Sequence, residues 1–192
     1  MKTVPPQTIA SKVFHWINLL SVSVMLLSGL QIYNANPVFG GREGGHIPPI
    51  LLLGGWLAGG RDWHFAAMNL FAANLFAYGL YVLLSRRWKT RFIGVNDVKA
   101  IALSKSPQRK FYALHRLAYS AIVPVLLVAI FSGVGMYKPA QFDWILKCVA
   151  DDWQILRIAH FMTVPIVLVF TIVHVSLVWR VGARKLVESM FW

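Results

Sequence analysis

The residues of this chain that could do chemistry are its histidines, and the pair that organises the rest lies in the last long apolar run. That run, RIAHFMTVPIVLVFTIVHVSLVWR, extends from Arg157 to Arg180 and carries His160 and His174. An α-helix turns about 100° and rises about 1.5 Å per residue, so fourteen residues return to within about 40° of the same face, about 21 Å further along. The run is long enough to cross a bilayer once. One face of one spanning helix therefore carries an imidazole near each side of a membrane. An ionisable group at such depth is costly, and function is the default reason for its presence.

Four elements must position these groups. The chain has 192 residues, of which 57% are hydrophobic and only 14% charged, a composition rare for a soluble domain. Four apolar runs reach spanning length, at about 13–33, 63–85, 112–137 and 158–179. None alternates as a barrel strand does. The expected fold is all-α: a single integral membrane domain over residues 1–192, four transmembrane helices with short interfacial helices. The first run is too long for the apolar region of a signal peptide, and no small-residue cleavage site clearly follows it. Cys148 is the only cysteine, so an internal disulfide is excluded, and no CxxCH is present for covalent haem attachment.

Charge orients the bundle. The segments 34–62 and 138–157 hold five basic residues (Arg42, Arg61, Lys138, Lys147, Arg157) and five acids, whereas the rest holds fourteen basic residues and two acids. The excess of Lys and Arg predicts that both termini and the 86–110 loop are cytoplasmic. A net charge of +12 could signal nucleic acid, but these charges flank spans as topology signals do.

With that topology the imidazoles sort by depth. His15 and His174 lie near the cytoplasm; His64 and His160 lie near the outer face. Each pair joins two helices at one depth. A zinc ion wants three or four ligands, and His160 and His174 are too far apart to share one. A proton relay needs ionisable groups at mid-depth, which these spans lack. A membrane histidine can also be a plain interhelical hydrogen-bond partner. Two pairs suit two six-coordinate haem irons, each with an imidazole on either face of a non-covalent b-type ring, with irons on the order of 20 Å apart.

Between the spans, ILLLGGWLAGG (residues 50–60) is too short and glycine-rich to cross and is expected at the interface or re-entrant. Residues 141–148 are expected at the outer interface, and 181–192 as an amphipathic tail on the inner one. Ser-Gly…Tyr closes two spans at the same face, at Ser28–Tyr33 and Ser132–Tyr137. Gly29, Gly133 and Gly135 there would admit either a neighbouring backbone or a flat ring.

The segments HWIN at His15, RDWHF at His64 and the H-x13-H of the last span resemble the bacterial di-haem cytochrome b superfamily, which includes b-type subunits of nickel–iron hydrogenase, formate dehydrogenase and thiosulfate reductase-like complexes. The resemblance covers all four spans. It implies haem ligation by His15 with His174 and by His64 with His160, and an electron conduit between a membrane quinone and an extracytoplasmic redox subunit, such as a molybdenum enzyme, a hydrogenase or another dehydrogenase. It implies residence in the bacterial inner membrane. FYALHRLAY at 111–119 resembles a segment in which an Asn and Gln pair helps form a quinone pocket; here Tyr112 and His115 stand in those places, and both can hydrogen-bond a carbonyl. His115 could instead meet a haem propionate. Arg61 and Arg157, at the outer ends of their helices, are the candidates to pair with propionates or partner acids. A stand-alone quinone oxidoreductase for a small oxidant and a haem-free anchor subunit are the competing functions.

Overall fold

The computed structural model describes residues 7–181 together with 188, 190 and 191. Among the described residues seven α-helices are delimited: α1 (Ile9–Ala35), α2 (Leu57–Leu84), α3 (Trp88–Arg91), α4 (Val95–Leu103), α5 (Pro107–Tyr137), α6 (Asp143–Lys147) and α7 (Trp153–Val181). No strand occurs among the described residues. Four helices, α1, α2, α5 and α7, are long and apolar enough to cross a membrane. Each begins four to six residues before the apolar run that announces it, because helical hydrogen bonding continues through flanking turns that hydropathy does not register. Thr8 caps α1, its side chain accepting from the N–H of Ser11. Pro107 opens α5 where a missing N–H costs nothing.

The interior is the reverse of a soluble core. Buried positions include Ser11, Ser21, Ser28, Asn74, Ser132 and Thr163 among small or polar residues, while Phe76, Leu84, Val169 and Ile172 face outward. In lipid no hydrophobic force drives helices together, so small residues that allow close approach and polar groups that bond across the interface take the inside. α1 packs along α2, and α5 along α7. Asn74 of α2 donates to Phe14 O (3.0 Å) and to Asn18 Oδ1 (2.7 Å) of α1. Tyr78 of α2 and Tyr119 of α5 share a 2.5 Å hydrogen bond that joins the two hairpins.

The two ends of the bundle differ. At the neutral end, Pro49–Leu51 forms a 3-10 turn and Gly54, at φ +114°, turns the chain into α2. Of the 50–60 segment, residues up to 56 form no spanning helix, whereas residues 57–60, expected to lie outside the spans, make the first turn of α2. Leu53 N–H donates to Leu27 O of α1 (3.2 Å), and Ile50 and Trp56 remain exposed. The short α6 occupies the stretch expected at this interface. The expected tail at 181–192 lies mostly outside the described residues; Met190 O accepts from the Trp16 indole (3.0 Å), and Phe191 packs on the same ring (4.8 Å).

At the basic end, α4 is pinned to α5 through one carboxylate. Asp97 accepts the N–H of Gly94 (3.0 Å) and is paired with Arg109 (2.7 Å) and Arg116 (2.6 Å), with its side chain 2% exposed. Arg116 also donates to Phe92 O. Burial alone would raise the carboxyl pKa, but the Gly94 N–H and the two guanidinium groups outweigh it and hold the group below the usual carboxylate range. The stabilisation is therefore complete above the unfolded value of about 3.9 and is lost as pH falls through the lower folded value. Asp97→Ala removes the ion partner of both guanidinium groups, leaving Arg116 on backbone carbonyls and Arg109 partly in solvent, and a loss of about 2–3 kcal/mol is expected. Denaturation in detergent at neutral pH checks the loss, and protease sensitivity between residues 86 and 110 checks where it falls.

Candidate functional site

The neutral half of the bundle encloses a cleft of about 590 Å³ between the two hairpins, lined by residues of α1, α2, α5 and α7. His64 and His160 face each other across it, with ring centroids 6.2 Å apart and ring planes at 72°. Each imidazole is seated on the neighbouring helix of its own hairpin. His64 Nδ1 lies 3.0 Å from Met25 O and 3.3 Å from Ser28 Oγ. His160 Nδ1 lies 3.0 Å from Ser132 Oγ. A carbonyl can only accept, so Nδ1 of His64 carries the proton and its Nε2 keeps the lone pair. The serine contact at His160 is consistent with the same tautomer.

The glycines divide between the two roles open to them. A Cβ on Gly29 would lie 3.3 Å from His64 Cε1, and one on Gly133 would lie 3.1 Å from His160 Cε1. These two make room for the imidazoles. Gly135 serves helix packing: a Cβ there would meet Ile145 and Leu156. Gly133→Val is thus expected to displace the His160 ring and disable the cleft while the chain stays helical. Circular dichroism and binding of the cleft's ligand, measured on the same sample, check this.

Arg61 and Arg157 both line the cleft. Arg157 also donates to Asn36 O (2.7 Å) and Gln154 Oε1 (2.9 Å), which ties the start of α7 to the end of α1. Tyr33 stacks on Phe161 (4.8 Å) and Tyr137 packs tilted against Phe65 (4.4 Å), forming the rim. Lys138 lies over the Tyr137 ring. The Arg42 side chain lies outside the described residues.

The two hairpins carry one design twice. R-x-x-H-F occurs at Arg61–Phe65 and again 96 positions on at Arg157–Phe161, and S-G-x-x-x-Y at Ser28–Tyr33 recurs 104 positions on at Ser132–Tyr137. The packing repeats with the volumes exchanged: Gly60 meets Gln31, where the other hairpin sets Leu156 against Gly135. The same offsets carry His15 onto Tyr119 and Tyr78 onto His174. Tyr78 and Tyr119 touch, so the basic half has histidines on one side of the pseudo-twofold and a tyrosine pair on the other. Of this repeat only the Ser-Gly…Tyr closing pattern stands out in the sequence, because unequal connections leave no long periodicity.

In the basic half, three imidazoles converge. His115 and His174 lie with centroids 5.3 Å apart and planes at 31°, and Phe170 stacks on His174 at 5.6 Å. His15 and His115 are both close enough to His174 to act on it electrostatically. His15 is exposed at the flank of α1, beside Trp16. His174 Nδ1 is buried without a hydrogen-bond partner. Tyr112 is not part of this cluster; it is 42% exposed, beneath the Arg109 guanidinium. Arg91 is a member that the sequence did not single out. It bonds Gln7 Oε1 (2.9 Å) and acts electrostatically on His15 and His115. In the sequence it is one of many basic loop residues, and only the turn at α3 brings it inward. Among the described residues no group of three or more His, Cys, Asp or Glu could hold a bare metal ion.

The neutral-end geometry fits an axial pair. A metal–imidazole bond of about 2 Å on each side, and about 1 Å from nitrogen to ring centre, spaces two rings about 6 Å apart. The fold and this cleft define a protein of four helices long and apolar enough to cross a membrane, built around two facing imidazoles. The chain belongs to the prokaryotic cytochrome b561 family, which it matches over residues 7–192. A protein of Azospira oryzae named for a protein-methionine-sulfoxide reductase subunit, YedZ1, is 32% identical over 176 residues, covering 87% of this chain and 86% of the relative. No solved structure matches the chain. The protein is a multi-pass membrane cytochrome that transfers electrons through b-type haem.

Proposed function

We propose that this chain carries electrons between a membrane quinone and a periplasmic redox subunit through two b-type haems, in the bacterial inner membrane. His64 and His160 hold one haem at the neutral end, and His15 and His174 hold the other at the basic end. The observation that carries the reading is the 6.2 Å facing of His64 and His160 across the cleft. The haem iron, when bound, supplies reversible one-electron chemistry. The chain supplies the rest: axial imidazoles, a lining poor in polar groups, and Arg61 and Arg157 as counter-charges for propionates. Haem quantitation with a reduced-minus-oxidised spectrum tests the assignment. Two low-spin b-type haems per chain are expected; one haem, or a high-spin five-coordinate spectrum in fully loaded protein, defeats it.

The lysines and arginines at the basic end support placing that end in the cytoplasm. Quinone then binds there, beside His115. A neutral imidazole can donate or accept one hydrogen bond and trade a proton near neutral pH, and reducing a quinone to a quinol takes two electrons and two protons. Lys110 extends the route to water. His115 packs directly on His174, which favours a second reading in which His115, rather than the exposed His15, is the ligand opposite His174. His15→Ala and His115→Leu separate the two: only the true ligand's loss removes the haem.

The periplasmic partner docks on the neutral end, over the cleft. The similarity to a protein-methionine-sulfoxide reductase subunit adds a reductase to the candidate partners, beside a molybdenum enzyme, a hydrogenase or another dehydrogenase. Photo-cross-linking from Phe39 or Trp153, both exposed at that end, is expected to capture the partner; capture mainly from the 86–110 loop refutes this side.

A further inference from the structure

We infer that Ser28 and Ser132 are positioning residues that set the redox level of the neutral-end haem, an inference that rests on the haem assignment to His64 and His160. Both serines are buried, at 0% and 4% exposure. Each hydroxyl donates back to the carbonyl of the preceding helical turn: Ser28 to Val24 O at 2.6 Å, Ser132 to Val128 O at 2.5 Å. With its hydrogen committed there, each oxygen can only accept from the imidazole Nδ1–H beside it. For Ser28 that contact is 3.3 Å, for Ser132 3.0 Å.

The arrangement is a chain of hydrogen bonds, carbonyl to hydroxyl to imidazole, and each link polarises the next. Electron density is pushed towards Nε2, the nitrogen left free for a ligand bond. A partner on the far nitrogen of a ligating histidine fixes its tautomer and orientation and raises its basicity. A more basic axial ligand favours ferric over ferrous iron, so the two serines lower the potential of this site. The internal duplication supplies the same serine to both faces of the ring. The basic half has no counterpart: His174 Nδ1 has no hydrogen-bond partner, so the device acts on one haem and leaves the other alone.

The test is a potentiometric titration of the haem-loaded protein in detergent, with the neutral-end signal assigned from its absence in His160→Ala. Ser132→Ala is expected to weaken the ferric preference about tenfold, a rise of about 59 mV for one electron. The other haem should stay where it is. Ser132→Thr, which keeps the hydroxyl, should restore the native value. Should Ser132→Ala shed its haem, Ser28→Ala is expected to give a smaller rise of the same sign, because Met25 O still holds the His64 ring and accepts its Nδ1 proton at 3.0 Å. Unchanged potentials with haem retained overturn the inference, as do equal shifts of both haems or a threonine variant that behaves like alanine. Native protein without two bis-histidine haems would instead sink the haem assignment, a result visible before any serine is changed.

Discussion

His160→Ala is expected to leave the protein with one b-type haem where two are proposed for the native chain, the lost signal being that of the neutral end. The imidazole is seated by Ser132, cleared by Gly133 and faces His64 across the cleft. No other histidine is seen at that end of the cleft lining, so nothing replaces it. Haem quantitation is the measurement, and the loss should be close to half of the total. Stability falls with it, since a group bound only by the folded chain stabilises that chain by mass action. The variant should therefore unfold at lower temperature when native haem is present and differ little when both proteins are stripped. Retention of two low-spin haems would show that His160 is not a ligand.

His115→Leu is the second large effect. Leucine roughly preserves the volume against His174 and Arg91 but cannot bond a carbonyl or carry a proton. Quinone-linked turnover is expected to fall by about 10²-fold or more, the usual scale for losing a positioned acid–base group. Both haem spectra should persist, and the neutral-end haem should still exchange electrons with its partner. The paired measurement matters because His115 and His174 rings are 5.3 Å apart. Loss of haem makes His115 a ligand or a support for one, and unchanged turnover removes it from the quinone site.

The sequence announced the four long helices because apolar runs of spanning length have few other uses. It also placed His64 and His160 at one depth, since rise per residue and charge asymmetry suffice for that. Azimuth between different helices is another matter. Nothing in the chain order says that His115 turns towards His174, or that Tyr112, three residues earlier, looks outward. Those directions come from how α5 leans on α7 and how the Asp97 pairs fix its first turns. Asp97 lies in a loop rich in basic residues, and its burial depends on α4, a nine-residue helix whose packing against α5 the chain order does not announce. The serines at 28 and 132 were visible as part of a repeated closing pattern, but their bonds to histidine appear only when the hairpins close.

The separation of His160 and His174 along α7 has an electrical meaning. Fourteen residues of helix span about 21 Å, roughly two thirds of a hydrocarbon layer about 30 Å thick. A full crossing is worth about 2.3 kcal/mol per unit charge for every 100 mV. An electron handed from one imidazole layer to the other would thus gain or lose about 1.6 kcal/mol at 100 mV, depending on its direction. Protein oriented in sealed vesicles would then exchange electrons between the layers at a rate that follows the membrane voltage. The spacing of two side chains on one helix would make this chain a contributor to, or a consumer of, the membrane potential.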